Sequence, residues 1–293
     1  MPLEPSTGDV KMSLAALPLA DVSAAASTPA QETTPETPAV FLIHGLGGTE
    51  FDLGLLNKRL KKAGFAIHSL TLPGHGSSPE DLIPVSAEDW MAATTAKYEE
   101  VTAQHDTVHI LGMCMGALLA VELAKRTQHT KGRLVALAPP VFIDGWATPW
   151  YAALRHVVYR MPFLPERMKV EEETPYGIKN EQLRAIIKKK FSRGDSFHYR
   201  WVPLACIRQV DRLRGWVMKG LKTILSDTLV IHARDDELTS LRSAKFLIGG
   251  IGPLRSRMVV LENSYHMVCV DNDREQVAEC VLEFLGDPGK APG

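Results

Sequence analysis

A surplus of charge of either sign is missing from this chain. Its 293 residues carry 33 Lys or Arg against 34 Asp or Glu, a formal net charge of −1 at pH 7. With no overall basic excess to neutralise phosphates, nucleic acid is not an expected partner. Cysteine is scarce: Cys114, Cys206, Cys269 and Cys280 are scattered, with neither C-x-x-C spacing nor the density of a disulfide scaffold. That usage fits a reducing, cytoplasmic compartment. No apolar run approaches the roughly eighteen residues a membrane span requires. A Gly-x-Gly-x-x-Gly fingerprint is absent, and the histidines and cysteines lack a local metal-site spacing. The expectation is no cofactor and no metal. Apolar residues, by contrast, make up 45% of the chain, enough for a sizeable core.

Residues 1–38 are rich in Ala, Ser, Thr and Pro, end in STPAQETTPETP, and show no sustained hydrophobic period; they read as a disordered leader. A secretory signal over Met12 to Ala26 is disfavoured by Glu4, Asp9 and Pro18. From Ala39 onward, short continuous apolar runs alternate with amphipathic segments. VFLIH, AIHSL, TVHIL, RLVAL, TLVIH and RMVVL are strand candidates, and such runs belong to a parallel sheet covered on both faces. Helices are expected over Phe51 to Ala63, over Ser86 to Gln104 with Ser86 and Asp89 at the cap, and over Asp273 to Leu285. The fold class is therefore α/β, with a mostly parallel twisted sheet built from residues 39–140 and 226–293.

Residues 141–225 interrupt that alternation with helical patterns and no convincing strand, and read as an inserted helical cap, or lid. Positions 145–226 hold sixteen Lys or Arg against seven Asp or Glu, so a basic insert sits in an acidic remainder. Of its aromatic residues, Trp146, Trp150, Tyr151, Tyr159, Phe163, Phe191, Phe197, Trp201 and Trp216, most are expected to form core between cap helices.

The run HILGMCMGALLAVELAKR sets Cys114 between Gly112 and Gly116, where a strand passes into a helix. Small flanking residues permit a sharp turn there, and the helix N-terminus favours a thiolate. A nucleophile at such a bend needs a base. His266 in NSYHMV combines a late position with a loop just beyond a strand. Asp235, Asp236 and Glu237 follow TLVIHAR, and each could orient that base.

With VFLIHGLGG, LPGHGSSP, GMCMGA, HARDDE and ENSYHMVCVD in that order, the chain resembles the α/β-hydrolase superfamily from about Ala39 to Leu285. It looks most like bacterial carboxylesterases and monoacylglycerol lipases, with cysteine in place of their serine. Cysteine in this elbow is also similar to dienelactone hydrolases and polyhydroxyalkanoate synthases. The resemblance implies an α/β-hydrolase fold and a Cys114, His266, Asp236 triad. It favours Asp236 over Asp235, and it makes the backbone N–H groups of Leu46 and Met115 the oxyanion hole. It leaves His44 and His75 as loop-shaping residues. Ala117, Ala233 and Tyr265 stand where glycine is common in the family, which alters pocket size; Tyr265 is expected to narrow the pocket beside the base.

A cysteine nucleophile changes the expected substrate. An acyl-cysteine is a thioester, so exchange from another thioester is nearly balanced, whereas capture from a plain ester runs uphill before hydrolysis. The expected activity is hydrolysis of acyl-thioesters or activated esters, releasing an acyl chain from coenzyme A or an acyl carrier protein held by the basic cap. Carboxylesterase or monoacylglycerol lipase activity, acyl transfer through the same intermediate, and a catalytically silent ligand receptor are the alternatives.

Overall fold

The computed structural model describes residues 36–193 and 198–286. The expected leader falls outside them up to residue 35, as does Phe197. In chain order the strands are β1 (Ala39–Ile43), β2 (Ala66–Ser69), β3 (Val108–Met113), β4 (Leu134–Leu137), β5 (Lys169–Glu171), β6 (Trp201–Pro203), β7 (Thr228–Ala233) and β8 (Ser256–Leu261). The helices are α1 (Gly54–Lys62), α2 (Ala87–Gln104), α3 (Met115–Arg126), α4 (Arg155–Val158), α5 (Leu164–Arg167), α6 (Glu181–Arg193), α7 (Leu204–Val217), α8 (Leu241–Ile251) and α9 (Arg274–Leu285). All six sequence runs read as strands are strands. They form one sheet in the order β2-β1-β3-β4-β7-β8, parallel at every pairing.

Both faces of this sheet are covered, which is why its strands are continuously apolar rather than alternating. All five residues of β1 are buried. Because successive side chains point to opposite faces, Phe41 and Ile43 pack with Trp90 of α2, Leu118 of α3, Leu213 of α7 and Leu247 of α8. Val40 and Leu42 pack on the other side with Leu56 and Leu60 of α1 and Val277 and Val281 of α9. Each fully buried large aliphatic side chain contributes about 1.5–3 kcal/mol to this core. Among the described residues no helix is long and apolar enough to cross a membrane.

Local signals set the helix ends. Ser86 caps α2 with a reciprocal box: its hydroxyl accepts the Asp89 N–H at 3.1 Å, and the Asp89 carboxylate accepts the Ser86 N–H at 2.8 Å. The helix expected from Phe51 is divided instead into a 3-10 turn (Glu50–Leu53) and α1. Gly54 marks the break, with φ +49° and no room for a side chain: a Cβ there would lie 2.8 Å from the Cys269 carbonyl oxygen.

Two expectations about the insert need correction. It contains strands, since β5 and β6 pair antiparallel with Val170 opposite Val202. Three residues each are too short to show a period, and only the distant partner makes them strands. Its aromatic residues are not predominantly core. Trp146, Trp150, Tyr151 and Phe163 are exposed, whereas Tyr159, Phe191, Trp201 and Trp216 are half-buried. The short helices α4 and α5 bury too little to enclose them.

The strand order fixes where a site can form. From β1 the chain runs outward to β2, then returns to place β3 on the other side of β1. The connections leaving β1 and β3 therefore run to opposite sides, and the carboxyl ends of these two strands form the switch point at which α/β sheets place ligand sites.

Candidate active site

At the end of β3 the backbone turns abruptly into α3. Cys114 occupies the bend with φ +54° and ψ −123°, a conformation that costs about 1–3 kcal/mol and persists only where its surroundings enforce it. Gly112 and Gly116 make the turn sterically available. A Cβ on Gly112 would lie 2.1 Å from the Gly116 carbonyl oxygen, and one on Gly116 would lie 2.1 Å from that of Ile43. The bend is anchored by the Cys114 N–H donating to Leu137 O at 3.0 Å and by Cys114 O accepting the Ala117 N–H at 2.9 Å. Met115 is the first residue of α3, where the N–H has no partner within the helix.

The loop after β1 lies against this bend. A Cβ on Gly45 would sit 3.1 Å from Cys114 Cβ and 3.8 Å from its Sγ. Gly45 O accepts the Gly48 N–H at 3.4 Å, closing a turn around Leu46, and also the His44 Nδ1–H at 2.8 Å. With Nδ1 protonated, His44 Nε2 accepts the Leu72 N–H at 3.1 Å. Burial lowers the pKa of His44 and pushes that of His75 to about 4, so both rings are neutral. His75 stacks on Tyr199.

Two further loops complete the cluster. Asp236 follows β7 and His266 follows β8, and they meet with His266 Nδ1 2.8 Å from Asp236 Oδ2. Asp236 Oδ1 accepts the N–H groups of Leu238 and Thr239, both at 2.9 Å. Burial alone would raise this carboxyl, but the facing imidazole and these donors outweigh it and bring it below its usual 3.8. His266 shows the reciprocal balance. Burial opposes its charge, yet Asp236 and Cys114 hold it well above 6.5. Its Nε2 is buried, and Cys114 lies close enough to it to help raise the imidazole pKa.

The other two acids go elsewhere. Asp235 is half-exposed and pairs with Lys179 at 2.9 Å. Glu237 accepts the backbone N–H of His266 at 3.1 Å, and burial raises its pKa. Tyr265, expected to narrow the pocket, has its ring against Trp146 at 5.7 Å and beneath Lys179 Nζ at 5.6 Å.

Asp271 was not singled out by the sequence. It is fully buried, and its carboxylate accepts N–H groups from Lys179 at 2.7 Å, Asn180 at 2.9 Å and Tyr265 at 2.9 Å. It thereby ties the His266 loop to the insert. Nothing in the run HMVCVDNDRE distinguishes it from the neighbouring acids Asp273 and Glu275. Asp271→Ala strands three N–H groups and is expected to cost on the order of 3–5 kcal/mol, lowering the melting temperature by roughly 10 °C and kcat with it. A thermal melt paired with a rate assay checks this.

Comparison with known proteins agrees with this architecture. The model of the alpha/beta hydrolase family matches residues 40–280. A carboxylesterase of Bacillus subtilis (strain 168) is 25% identical over 250 residues, covering 84% of this chain and 92% of that protein. A thermostable monoacylglycerol lipase of Bacillus sp. (strain H-257) is 24% identical over 246 residues, covering 84% and 89% respectively. The crystal structure of the Paleococcus ferrophilus monoacylglycerol lipase superposes with a TM-score of 0.70 at 20% identity, over 85% of this chain and 95% of that one. With a six-stranded parallel sheet between two helical layers and a family match across most of its length, the chain belongs to the alpha/beta hydrolase family.

Proposed function

We propose that this protein is a carboxylester hydrolase that works through a covalent acyl-cysteine on Cys114, with His266 as acid and base and Asp236 orienting it. The observation that carries the reading is the buried His266, bonded to Asp236 at 2.8 Å and facing a cysteine held at a strand-to-helix bend. The family relatives that are a carboxylesterase and a monoacylglycerol lipase support the choice of oxygen esters.

In the first half-reaction the Cys114 proton moves to His266 Nε2, and the thiolate attacks the ester carbonyl carbon, forming a C–S bond. Negative charge collects on the carbonyl oxygen, which the N–H groups of Leu46 and Met115 receive. Collapse of that intermediate breaks the C–O bond, and the departing alcohol takes the proton from His266. In the second half, water gives a proton to His266 and its oxygen attacks the thioester. Cleavage of the C–S bond then releases the carboxylic acid, and the proton returns to sulfur.

A second reading, thioester hydrolysis, is favoured by the nucleophile itself, because sulfur-to-sulfur acyl exchange is nearly balanced. The basic insert supports a phosphate-bearing or acidic carrier such as coenzyme A or acyl carrier protein. Intact mass after mixing with an activated acyl ester tests the common step: an acyl mass is expected on the native chain and not on Cys114→Ala. Turnover of a matched ester and thioester then separates the two readings. Neither adduct nor turnover across a broad acyl panel would leave a silent receptor.

A further inference from the structure

Outside the catalytic cluster, one half-buried histidine is placed where chemistry depends on it. His198 lies in the insert just before β6, with Nδ1 3.5 Å from Asp52 Oδ1 and Nε2 4.0 Å from Glu172 Oε1. These are ion-pair separations rather than closed hydrogen bonds. Asp52 is buried and belongs to the turn that follows HGLGG. Its carboxylate rests on Gly48, where a Cβ would fall 1.5 Å from Oδ2. His198 rests on Gly47, where a Cβ would lie 3.4 Å from Nε2 and φ is +72°.

The neighbouring residue adds backbone bonds to the same loop. The Tyr199 N–H donates to Gly47 O at 2.8 Å. Its hydroxyl donates to Gly74 O at 3.0 Å and accepts the Ser77 N–H at 3.1 Å, fastening the loop after β2 as well. One short stretch of the insert therefore grips the loop beside Cys114, at the residue following Leu46, together with the loop after β2 that packs on His44.

We propose that His198 is a positioning residue for the oxyanion loop: paired with Asp52 and packed on Gly47, it locks the backbone that presents the Leu46 N–H. The proposal rests on the acyl-cysteine reading above. It predicts that the insert contributes to transition-state stabilisation without touching the reacting atoms. Electrostatics support it, since burial opposes charge on His198 but Asp52 and Glu172 outweigh burial and move its pKa to about 10. His44 and His75, which also face it, are neutral. At neutral pH the ring is therefore a cation between two carboxylates.

The test compares two reactions of Cys114 in the full chain. Acylation by an activated ester requires the oxyanion hole, whereas alkylation by iodoacetamide does not. In His198→Gln the acylation rate is expected to fall on the order of tenfold, a fraction of what losing a whole oxyanion donor costs. Alkylation and KM are expected to stay within about threefold, since neither uses that donor. Asp52→Asn is expected to give the same split, and the double variant to be no slower than the worse single one, because coupled residues are not additive. Unchanged acylation, equal loss of acylation and alkylation, or additive losses would each overturn the proposal. Should His198→Gln fail to fold, Asp52→Asn alone still tests the proposal: unchanged acylation, or equal loss of acylation and alkylation, in that variant overturns it. If the native chain itself takes no acyl group on Cys114, the acyl-cysteine reading fails and this inference with it; labelling of native chain and variants at equal rates defeats the inference alone.

Discussion

Cys114→Ala is expected to lower kcat by about 10⁴ to 10⁶, leaving only what binding and the oxyanion hole supply without a nucleophile. KM should move little, because on the acyl-cysteine reading the thiol contributes to bond making rather than to holding the substrate. The fold should survive: the bend is set by Gly112 and Gly116, and alanine meets the same φ of +54° that cysteine already adopts. Cys114→Ser is the more informative change. A hydroxyl at the same bend needs a neutral imidazole to take its proton, yet His266 is held well above 6.5 by Asp236 and the facing Cys114. Removing the thiol takes away one of those two partners and leaves the other. The serine variant is therefore expected to be slow at neutral pH and to quicken as pH rises. On the acyl-cysteine reading the native protein should instead slow at high pH, when His266 loses the proton that the leaving alcohol must receive. Opposite slopes of kcat/KM against pH are the measurement; parallel slopes would show that Cys114 and His266 do not exchange a proton.

The sheet was legible in the sequence because its determinants are local. A buried parallel strand declares itself as a short apolar run, and the runs from VFLIH to RMVVL did so. The capped start of α2 at Ser86 and Asp89 was equally local. Elements whose identity depends on a distant partner were not legible. β5 and β6 are strands only because Val170 meets Val202, and the break before α1 exists because Gly54 runs against the Cys269 carbonyl. The exposure of Trp150 and Phe163 reflects how little the short helices of the insert bury, which amphipathic patterning within each segment does not report. The same division holds at the site. Cys114 stands out because two glycines flank it, and His266 and Asp236 because each follows a strand. Asp271 and His198 act through carboxylate or imidazole contacts to backbone and loops far away in the chain, so no spacing marks them.

Asp236→Asn isolates the electrostatic half of the cluster. Asparagine can still accept the Leu238 and Thr239 N–H groups that Asp236 Oδ1 accepts at 2.9 Å. What changes is the partner of His266 Nδ1, where a full negative charge becomes an amide. A loss of about 10³ to 10⁴ in kcat is expected from the missing charge and the misdirected imidazole tautomer. The pH behaviour should change in a defined direction. Burial lowers His266 and Asp236 is the first influence opposing it, so neutralising Asp236 is expected to drop the imidazole pKa and move the alkaline limb of kcat/KM to lower pH. Stability follows by linkage. The His266 contribution is complete below the ordinary value of 6.5 and fades as pH rises through its raised folded pKa. That of Asp236 is complete above 3.8 and fades as pH falls through its lowered one. The stability gap between native and Asp236→Asn proteins should therefore be widest between those two ordinary values and close toward both extremes, as urea melts across pH would register. A gap that does not vary with pH would mean that the pair owes its geometry to packing, and that the carboxylate does not hold the proton on His266.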